Sequence, residues 1–275
     1  SADAVIIVGE DVTNTSPRAA LAIRQSVRNH ATDLAKQARI PVWQDAAVRE
    51  LAQHERSPLI LLTPFATRLD DVASDILVGP PSELVEAAGA IASAISEHAP
   101  KIQGERDMTT RIADALLNAK RPLVVAGASA GKIEYIKTAA NIARALSEKR
   151  EETVGLYLST PEANSLGMSM LTNKENSLGI ALNKIIRGNA RKVIVLENDL
   201  YRRAPHSEVS KALEKAESLM VIDQLPTKTT EQASLLLPAT AFSEHEATYV
   251  NYEGRAQVSF QVHQNKNGAR PAWRW

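Results

Sequence analysis

Cysteine is absent from all 275 residues. This absence excludes disulfide bonds, thiolate-bound zinc, iron–sulfur clusters and a cysteine nucleophile within these residues, because each of them needs a thiol. Histidine is also sparse, with 6 residues scattered along the chain, and the paired-histidine motif HExxH does not occur. Glu244, His245 and Glu246 offer metal-ligand types, but side chains on adjacent residues rarely converge on one ion. We therefore interpret this segment as a polar loop and expect no metal site.

Net charge is absent as well, since 32 basic residues balance 32 acidic residues. A neutral chain creates no general attraction for nucleic acid or for an acidic membrane surface. No apolar run approaches the roughly 18 to 20 residues that a helix needs to cross a bilayer. We therefore expect no nucleic-acid partner and no direct membrane insertion. The chain starts without methionine and stops at GARPAWRW, which we interpret as the ends of a fragment of a longer protein.

Short apolar runs alternate with helical patterns along most of the chain. The candidate strands lie at residues 5–8, 40–43, 59–62, 75–78, 123–126, 154–158, 193–196, 219–222 and 235–237. Several are continuously apolar, which is typical of parallel strands covered by helices on both faces. The pattern predicts an α/β fold made of two doubly wound, Rossmann-like units with largely parallel sheets. No internal repeat is evident in the sequence.

Composition divides the chain into four segments. A polar stretch with a proline and a glycine interrupts the alternation at residues 98–106 and predicts a linker. This linker would separate a first α/β unit at residues 1–97 from a second α/β unit at residues 107–240. The helical period is lost at residues 241–275, which predicts an irregular segment leading into the next domain.

The loop after the first strand resembles the start of a dinucleotide-binding unit. A dinucleotide fingerprint needs several glycines so that the backbone can approach a pyrophosphate, but Gly9 stands alone here. Glu10 and Asp11 would repel an anion, whereas Ser16 and Pro17 are typical of the N-cap and first position of a helix. We therefore interpret the loop as a joint between strand and helix and expect no phosphate there.

A second loop, AGASAGK, resembles a phosphate-binding P-loop but lacks its spacing. Three residues separate Gly127 from Gly131 where the P-loop requires four, and Ile133 stands where serine or threonine must bind magnesium. We therefore interpret the two glycines as parts of a tight turn. Lys132 is expected to be a solvated side chain at the start of a helix.

A third loop, ENDLYRRAP, follows a candidate strand at the sheet edge where α/β proteins bind ligands. Its Glu197-Asn198-Asp199 segment is equally consistent with a ligand site and with a simple turn. The following Tyr201-Arg202-Arg203 segment is a candidate contact surface for a partner protein, since tyrosine and arginine are favoured in interfaces.

The last third of the chain resembles the molybdopterin oxidoreductase family. In VIDQLPTKTTEQASLLLPATAF a strand ends in aspartate, a Thr-x-Thr segment follows, and an apolar run closes in Leu-Pro-Ala. The residues that match this pattern are Asp223, Thr227, Thr229, Thr230, Leu237, Pro238 and Ala239. The family's later order of Glu, Thr, Asn, Glu, Arg and Gln continues at Glu244, Thr248, Asn251, Glu253, Arg255 and Gln257, with Ala247 where the family usually has glycine.

The opening GEDVTNTSPR is similar to the branch of this family found in the G subunits of NADH–quinone oxidoreductases, or respiratory complex I. Catalytic members tend to show Gly-x-Asn-Pro at this place. The resemblance implies α/β domains like the central domains of formate dehydrogenase and DMSO reductase. It also implies a non-catalytic scaffold without a cofactor of its own, in a parent subunit that carries 4Fe-4S and 2Fe-2S clusters outside this chain.

By the same resemblance, the partners are other complex I subunits, and the location is peripheral, at the cytoplasmic side of the bacterial inner membrane. The parent complex transfers electrons from NADH through FMN and iron–sulfur clusters to quinone and translocates protons. No catalytic residue is expected in this chain, and Asn251, Glu253 and Arg255 are positions of a vestigial molybdopterin site.

Two alternatives stay open. The chain could be a fragment of an active molybdopterin guanine dinucleotide oxidoreductase, in which Asn251, Glu253 and Arg255 approach the cofactor. It could also be the middle domain of a thiamine-diphosphate enzyme, which the segment RPLVVAGASAG resembles. That second alternative leaves the Thr-x-Thr and Leu-Pro-Ala segments unexplained, and a shared fold transfers no function.

Overall fold

The computed structural model describes residues 2–102 and 104–275. The chain forms two compact units, Ser1–Glu162 and Ala163–Trp275, and each has a parallel sheet. The predicted α/β class is therefore confirmed. The predicted linker at residues 98–106 is wrong as a division between units. The strand that follows it, Pro122–Gly127, hydrogen-bonds to the first strand of the chain within one sheet.

The first unit is built on a five-stranded parallel sheet. Its strands are Ala4–Val8 (β1), Leu59–Thr63 (β2), Asp75–Val78 (β3), Pro122–Gly127 (β4) and Gly155–Ser159 (β5). Their order across the sheet is β3-β2-β1-β4-β5. In the part of this unit that the structure describes, the α-helices are Val12–Thr15 (α1), Pro17–Ser26 (α2), Asn29–Gln37 (α3), Asp45–Ala52 (α4), Pro81–Ile95 (α5), Arg106–Asn118 (α6) and Ile133–Arg150 (α7).

Helices cover both faces of this sheet. On one face Ile6 and Ile60 pack in a core with apolar residues of α5, α6 and α7. On the other face Ile7 and Leu61 pack with residues of α2, such as Ile23. Every residue of β1 and β2 is buried, which explains why both strands are continuously apolar.

The second unit has a smaller parallel sheet of three strands. These are Lys192–Leu196 (β6), Ser218–Asp223 (β7) and Leu235–Pro238 (β8), in that order. Two further strands, Ala247–Val250 (β9) and Ala256–Ser259 (β10), pair antiparallel. The α-helices among its described residues are Ser165–Leu171 (α8), Leu178–Ile186 (α9) and His206–Lys215 (α10). Residues of α9 and α10 pack on one face of the parallel sheet.

All candidate strands except the one at residues 40–43 are confirmed, with ends within a residue. The exception is wrong because these residues form a turn between α3 and α4, with Trp43 81 % exposed. Arg39, just before it, has left-handed backbone at φ 58, and Pro41 follows. Within the segment at residues 241–275 that was predicted to be irregular, β9 and β10 form an antiparallel ladder.

The structure contains an internal repeat. β7 and β8, with the 3₁₀ turn between them, repeat β2 and β3 at a constant offset of 160 residues and in the same register. The side chains that fix the connection repeat as well. The Ser74 hydroxyl donates to the Leu59 carbonyl at 3.1 Å, and the Ser234 hydroxyl donates to the Leu219 carbonyl at 3.0 Å.

The repeat extends to β1 and β6 at an offset of 188 residues. Asp11 and Asp199 each accept a hydrogen bond from the backbone amide two residues ahead and so cap a short helical turn. Gly9 and Glu197 share the equivalent position and a left-handed backbone, at φ 68 and φ 44. The expectation of no repeat is therefore wrong. The strand register and the capping geometry repeat, although few of the residues at equivalent positions are identical.

Glu197→Gly is expected to stabilise the protein, because glycine adopts a positive φ without the steric cost of a β-carbon. The expected rise in the free energy of unfolding is about 0.5–1 kcal/mol, measured by urea denaturation. Gly9→Ala is the matched control and should destabilise the protein, because it adds a β-carbon at the same backbone geometry and against the Tyr135 ring. A lower urea midpoint for Glu197→Gly than for the unmodified chain would contradict this account.

Candidate functional site

The carboxyl ends of β1, β4 and β5 form the place in the first unit where an α/β protein would bind a ligand. The chain runs outward from β1 through β2 to β3 and then returns to β4 on the other side of β1. Ligands of open α/β sheets bind at such a switch point between strands. Two loops, at residues 9–16 and 128–132, meet the end of β5 here. Their polar side chains hydrogen-bond to one another.

The side chain of Glu10 fills this switch point. The residue is only 1 % exposed. Its carboxylate accepts hydrogen bonds from the Ser129 hydroxyl at 2.6 Å, the Ser129 backbone amide at 3.3 Å and the Thr15 hydroxyl at 2.9 Å. Amides and hydroxyls of this kind are the donors that such loops offer to a phosphate. The chain satisfies them with its own carboxylate.

Two glycines make room for this arrangement. A β-carbon on Gly127 would overlap the Glu10 carboxylate, and one on Gly9 would overlap the ring of Tyr135, which is fully buried. Gly131 has φ 63 with open space around it, as a turn requires. Gly131 therefore has the role in a tight turn that the sequence indicated for AGASAGK. Gly127 has a further role, because it allows the close approach of Glu10.

Ser16 occupies the predicted N-cap position of α2, and Pro17 follows it. Its hydroxyl makes no capping hydrogen bond, however. It lies 2.8 Å from the Ser159 hydroxyl and accepts from the Tyr157 hydroxyl at 3.0 Å. A side-chain cap is supplied by Asp11, one helix earlier. The prediction for Ser16 is thus correct in position and wrong in bonding, because partners on β5 engage the hydroxyl.

From the sequence, Glu10 is only a group that would repel an anion. In the structure it is itself the anion that the two loops bind. Two features of the sequence indicate that these loops could bind the Glu10 side chain. Both loops follow apolar strands, and both carry a hydroxyl side chain, at Thr15 and at Ser129. Lys132, by contrast, lies where it was expected, exposed at the N-cap of α7.

The equivalent loop of the second unit is built around Asp199. Its carboxylate accepts a hydrogen bond from the Thr229 hydroxyl at 2.7 Å, and that hydroxyl accepts one from the Leu200 amide at 2.9 Å. Thr229 is fully buried and belongs to the Thr-x-Thr segment. These bonds join the β6 loop to the connection between β7 and β8, which favours the turn interpretation of Asp199 over a ligand site.

Glu197 is the more unusual acid of this loop. Partial desolvation raises the pKa of its carboxyl, His245 opposes this increase, and Asp223 adds to it. The Nδ1 atom of His245 lies 3.0 Å from the Thr240 hydroxyl. Glu197 and Asp223 stand at the carboxyl ends of β6 and β7, the edge where ligands bind in such sheets.

The Glu244-His245-Glu246 segment is a polar turn, as its sequence indicates. Glu244 accepts hydrogen bonds from the Ala241 amide at 2.9 Å and from the Asn265 side chain at 3.3 Å. Among the described residues, no group of three or more His, Cys, Asp or Glu side chains is arranged to hold a metal ion.

Much of the ENDLYRRAP segment contacts its own unit. The Tyr201 hydroxyl lies 3.2 Å from the Ser210 hydroxyl, and its ring meets the edge of His206 at 5.2 Å between centroids. The Nε atom of Arg203 donates to Asn198 at 3.1 Å. These contacts fix the shape of the segment, and its role as a partner surface stays a prediction.

Asn251, Glu253 and Arg255 lie together at the turn between β9 and β10. The Asn251 side-chain oxygen accepts the Glu253 amide at 3.0 Å and the Arg255 amide at 2.9 Å. The Arg255 guanidinium lies 3.9 Å from the Glu253 carboxylate. Asn251 therefore organises the turn, and the assignment of all three residues to a vestigial pterin site stays a prediction.

The family model described as molybdopterin oxidoreductase matches residues 76–274, which is more than half of the chain. The chain belongs to the molybdopterin oxidoreductase family. The resemblance inferred from the Thr-x-Thr and Leu-Pro-Ala segments is thereby confirmed. The match includes the loops around Ser129 and Asp199 and the β9–β10 turn.

Curated relatives of this family member are named as the G subunit of NADH-quinone oxidoreductase. The one from Pseudomonas fluorescens is 44 % identical over 264 residues, covering 94 % of this chain and 29 % of the relative. The one from Pseudomonas putida is 43 % identical over 282 residues, covering 99 % and 31 %. The one from Escherichia coli K12 is 39 % identical over 284 residues, covering 100 % and 31 %. The chain thus spans less than a third of the length of these relatives.

Solved structures support the fold of this molybdopterin oxidoreductase family member. A chain of the formyltransferase/hydrolase complex from Methylorubrum extorquens aligns with a TM-score of 0.53 at 14 % identity, covering 99 % of this chain and 72 % of that one. Acetylene hydratase from Pelobacter acetylenicus aligns with a TM-score of 0.53 at 14 % identity, covering 99 % and 46 %. At this identity the likeness concerns the fold alone.

The switch point of the first unit does not fit the phosphate groups of a dinucleotide cofactor. A pyrophosphate there would compete with Glu10 for the Ser129 and Thr15 donors. It would also meet the Glu10 carboxylate, which repels anions. This member of the family therefore has a protein side chain where an anionic cofactor group would need donors.

Glu10→Ala is expected to lower the free energy of unfolding by about 2 kcal/mol, because it removes the acceptor of three hydrogen bonds and opens a void. Chemical denaturation followed by circular dichroism measures the change. Glu50→Ala, at an exposed position of α4, is the control and should change stability by less than about 0.5 kcal/mol. Equal effects of the two substitutions would show that Glu10 does not hold the loops together.

Glu197→Gln is expected to raise the melting temperature at neutral pH. The folded state raises the pKa of this carboxyl, so its stabilising contribution is present below the unfolded value and is lost as pH rises through the folded value. The difference in melting temperature between the variant and the unmodified chain should therefore shrink as the pH falls toward 4.5, the ordinary pKa of a glutamate side chain. Glu214→Gln, exposed on α10, is the control. A difference that grows with acidification would contradict the sign.

Proposed function

We propose that this chain is a non-catalytic structural domain of the large iron–sulfur subunit of an NADH–quinone oxidoreductase. The names of the relatives, which are 39–44 % identical over nearly the whole chain, support this assignment. The parent enzyme transfers electrons from NADH through FMN and iron–sulfur clusters to quinone and couples this transfer to proton translocation. Within it, the chain contributes packing and contacts with other subunits.

The observation that carries the proposal is the position of Glu10. A cofactor-binding branch of the family needs free donors at the ends of the strands, whereas here an acidic side chain is hydrogen-bonded by two loops at 2.6–3.3 Å. That carboxylate is buried and held by the fold itself. This arrangement supports a structural role for the fold over cofactor binding.

The proposal places the 4Fe-4S and 2Fe-2S clusters of the parent subunit outside these residues, which contain no cysteine. It makes the other complex I subunits the partners of the chain. It places the chain peripherally, at the cytoplasmic side of the bacterial inner membrane. Among the described residues, none of the helices has the length and apolar character needed to cross a membrane.

Metal analysis of the purified full-length protein tests the proposal. Iron is expected without stoichiometric molybdenum or tungsten. One molybdenum or tungsten per chain would overturn the scaffold assignment. It would support the alternative of an active molybdopterin guanine dinucleotide oxidoreductase, with Asn251, Glu253 and Arg255 near the cofactor.

A thermal-shift titration of the 275-residue chain with GDP is the second readout of the same test. A ligand that binds only the folded state raises its melting temperature, and a 100-fold excess over Kd adds about 2.7 kcal/mol. We expect no shift at millimolar GDP, with ADP as the control nucleotide. A shift of several degrees with GDP alone would mean that a nucleotide site survives. The thiamine-diphosphate alternative has no support from the family match.

A further inference from the structure

The parallel sheet of the second unit is covered by helices on one face only. Val195, Leu219 and Val221 are buried in the core with α9 and α10. On the opposite face Ile194 is 68 % exposed and Leu196 is 56 % exposed. Parallel sheets are otherwise covered on both faces, so an apolar open face is unusual.

This open face is defined by residues from all three strands. Ile194 pairs with Met220, and Met220 pairs with Leu235, so these three side chains form one row across the sheet. Leu196 lies two residues further along β6 on the same side. We name Ile194, Leu196, Met220 and Leu235 the bare face, in which Met220 is half-buried, and its margin is Ile222, a buried residue that pairs with Leu196.

The internal repeat shows what covers the same face in the first unit. At the repeat offsets, Ile194, Leu196 and Met220 correspond to Ile6, Val8 and Ile60. Those three residues are 0 % exposed and pack in the core that contains α5, α6 and α7. The same strand register is thus closed in the first unit, whereas in the second unit it is open at Ile194, Leu196 and Leu235 and closed at Ile222, which is 7 % exposed.

The missing cover has an identifiable cause in the chain. In the first unit α5 begins three residues after β3, at Pro81. It places Leu84, Ala88, Ile91, Ala92 and Ile95 in the core of that face. Among the described residues after β8, the chain instead forms turns, the β9–β10 hairpin and a 3₁₀ turn, with no α-helix.

We propose that the bare face is the docking site of an α-helix from polypeptide outside residues 1–275. This helix presents a stripe of leucine, isoleucine and alanine like that of α5. The relatives are more than three times as long as the chain, so polypeptide able to supply such a helix exists in them.

One position distinguishes the docked helix from those of the first unit. In the first unit Asp75 of β3 pairs with Ile60 of β2 and makes an ion pair with Arg111 of α6. The equivalent residue of the bare face is Leu235, which is 46 % exposed. The docked helix therefore presents an apolar side chain over Leu235, where the first unit presents an arginine.

Site-specific photo-cross-linking from position 194 in the assembled parent complex tests this proposal. A benzophenone side chain replaces Ile194, and mass spectrometry identifies the residue it captures. We expect the cross-links to map to leucine, isoleucine or alanine residues of one helix outside residues 1–275, in the parent subunit or in another subunit. The same probe at Leu21, exposed on α2 of the first unit, is the control. Cross-links to lipid, to a second copy of this chain, to residues 1–162, or none above the control would overturn the proposal.

A charge placed on the bare face gives an independent readout. Ile194→Lys with Leu196→Lys is expected to reduce the yield of assembled complex at least tenfold, since lysine cannot be buried there without a partner. The melting temperature of the 275-residue chain should stay within about 2 °C, because both side chains are solvated in it. Leu21→Lys is the matched control and should leave assembly unchanged. Normal assembly with the double variant would refute the docking site.

The docking helix is needed whichever larger enzyme contains the chain. Molybdenum in the full-length protein would refute the scaffold function and leave the cross-linking result untouched. Absence of the helix would leave the scaffold function untouched. The two proposals therefore fail separately.

Discussion

The hydrogen-bonded carboxylate of Glu10 is the interaction on which the first unit depends. It joins the loop after β1 to the loop after β4 at the place where the strand order reverses. Burial of a carboxylate is costly unless donors surround it, so the two loops supply donors to Glu10 and Gly127 leaves room for it. The same requirement closes the position to an anionic ligand. One side chain thus joins the two loops and occupies donors that an anionic ligand would need.

In the second unit, different side chains join the loops at the ends of the strands. Asp199 repeats the capping role of Asp11, and Thr229 joins the β6 loop to the connection between β7 and β8. Glu197 takes the position of Gly9 with the backbone still left-handed, which costs conformational energy that a glycine avoids. The two units therefore share a backbone plan and differ in the side chains that complete it.

The units also differ in how many faces of their parallel sheets are covered by helices. The first sheet has helices on both faces, whereas the second exposes Ile194 and Leu196 to solvent. Exposing apolar surface to water is unfavourable by roughly 25 cal/mol for each Å². Covering this surface with a helix, as proposed above, would remove it from water and supply a driving force for docking.

The sequence by itself determined the α/β class, almost every strand and the family, because continuous apolar runs and the Thr-x-Thr and Leu-Pro-Ala segments are local patterns. Only the tertiary structure decided where the units divide, what the Ser16 hydroxyl binds and why Glu10 is present. Each of these depends on a partner far along the chain, such as Ser159 for Ser16 and Ser129 for Glu10. The repeat was hidden for a related reason, since strand register and backbone angles recur there with few identical residues.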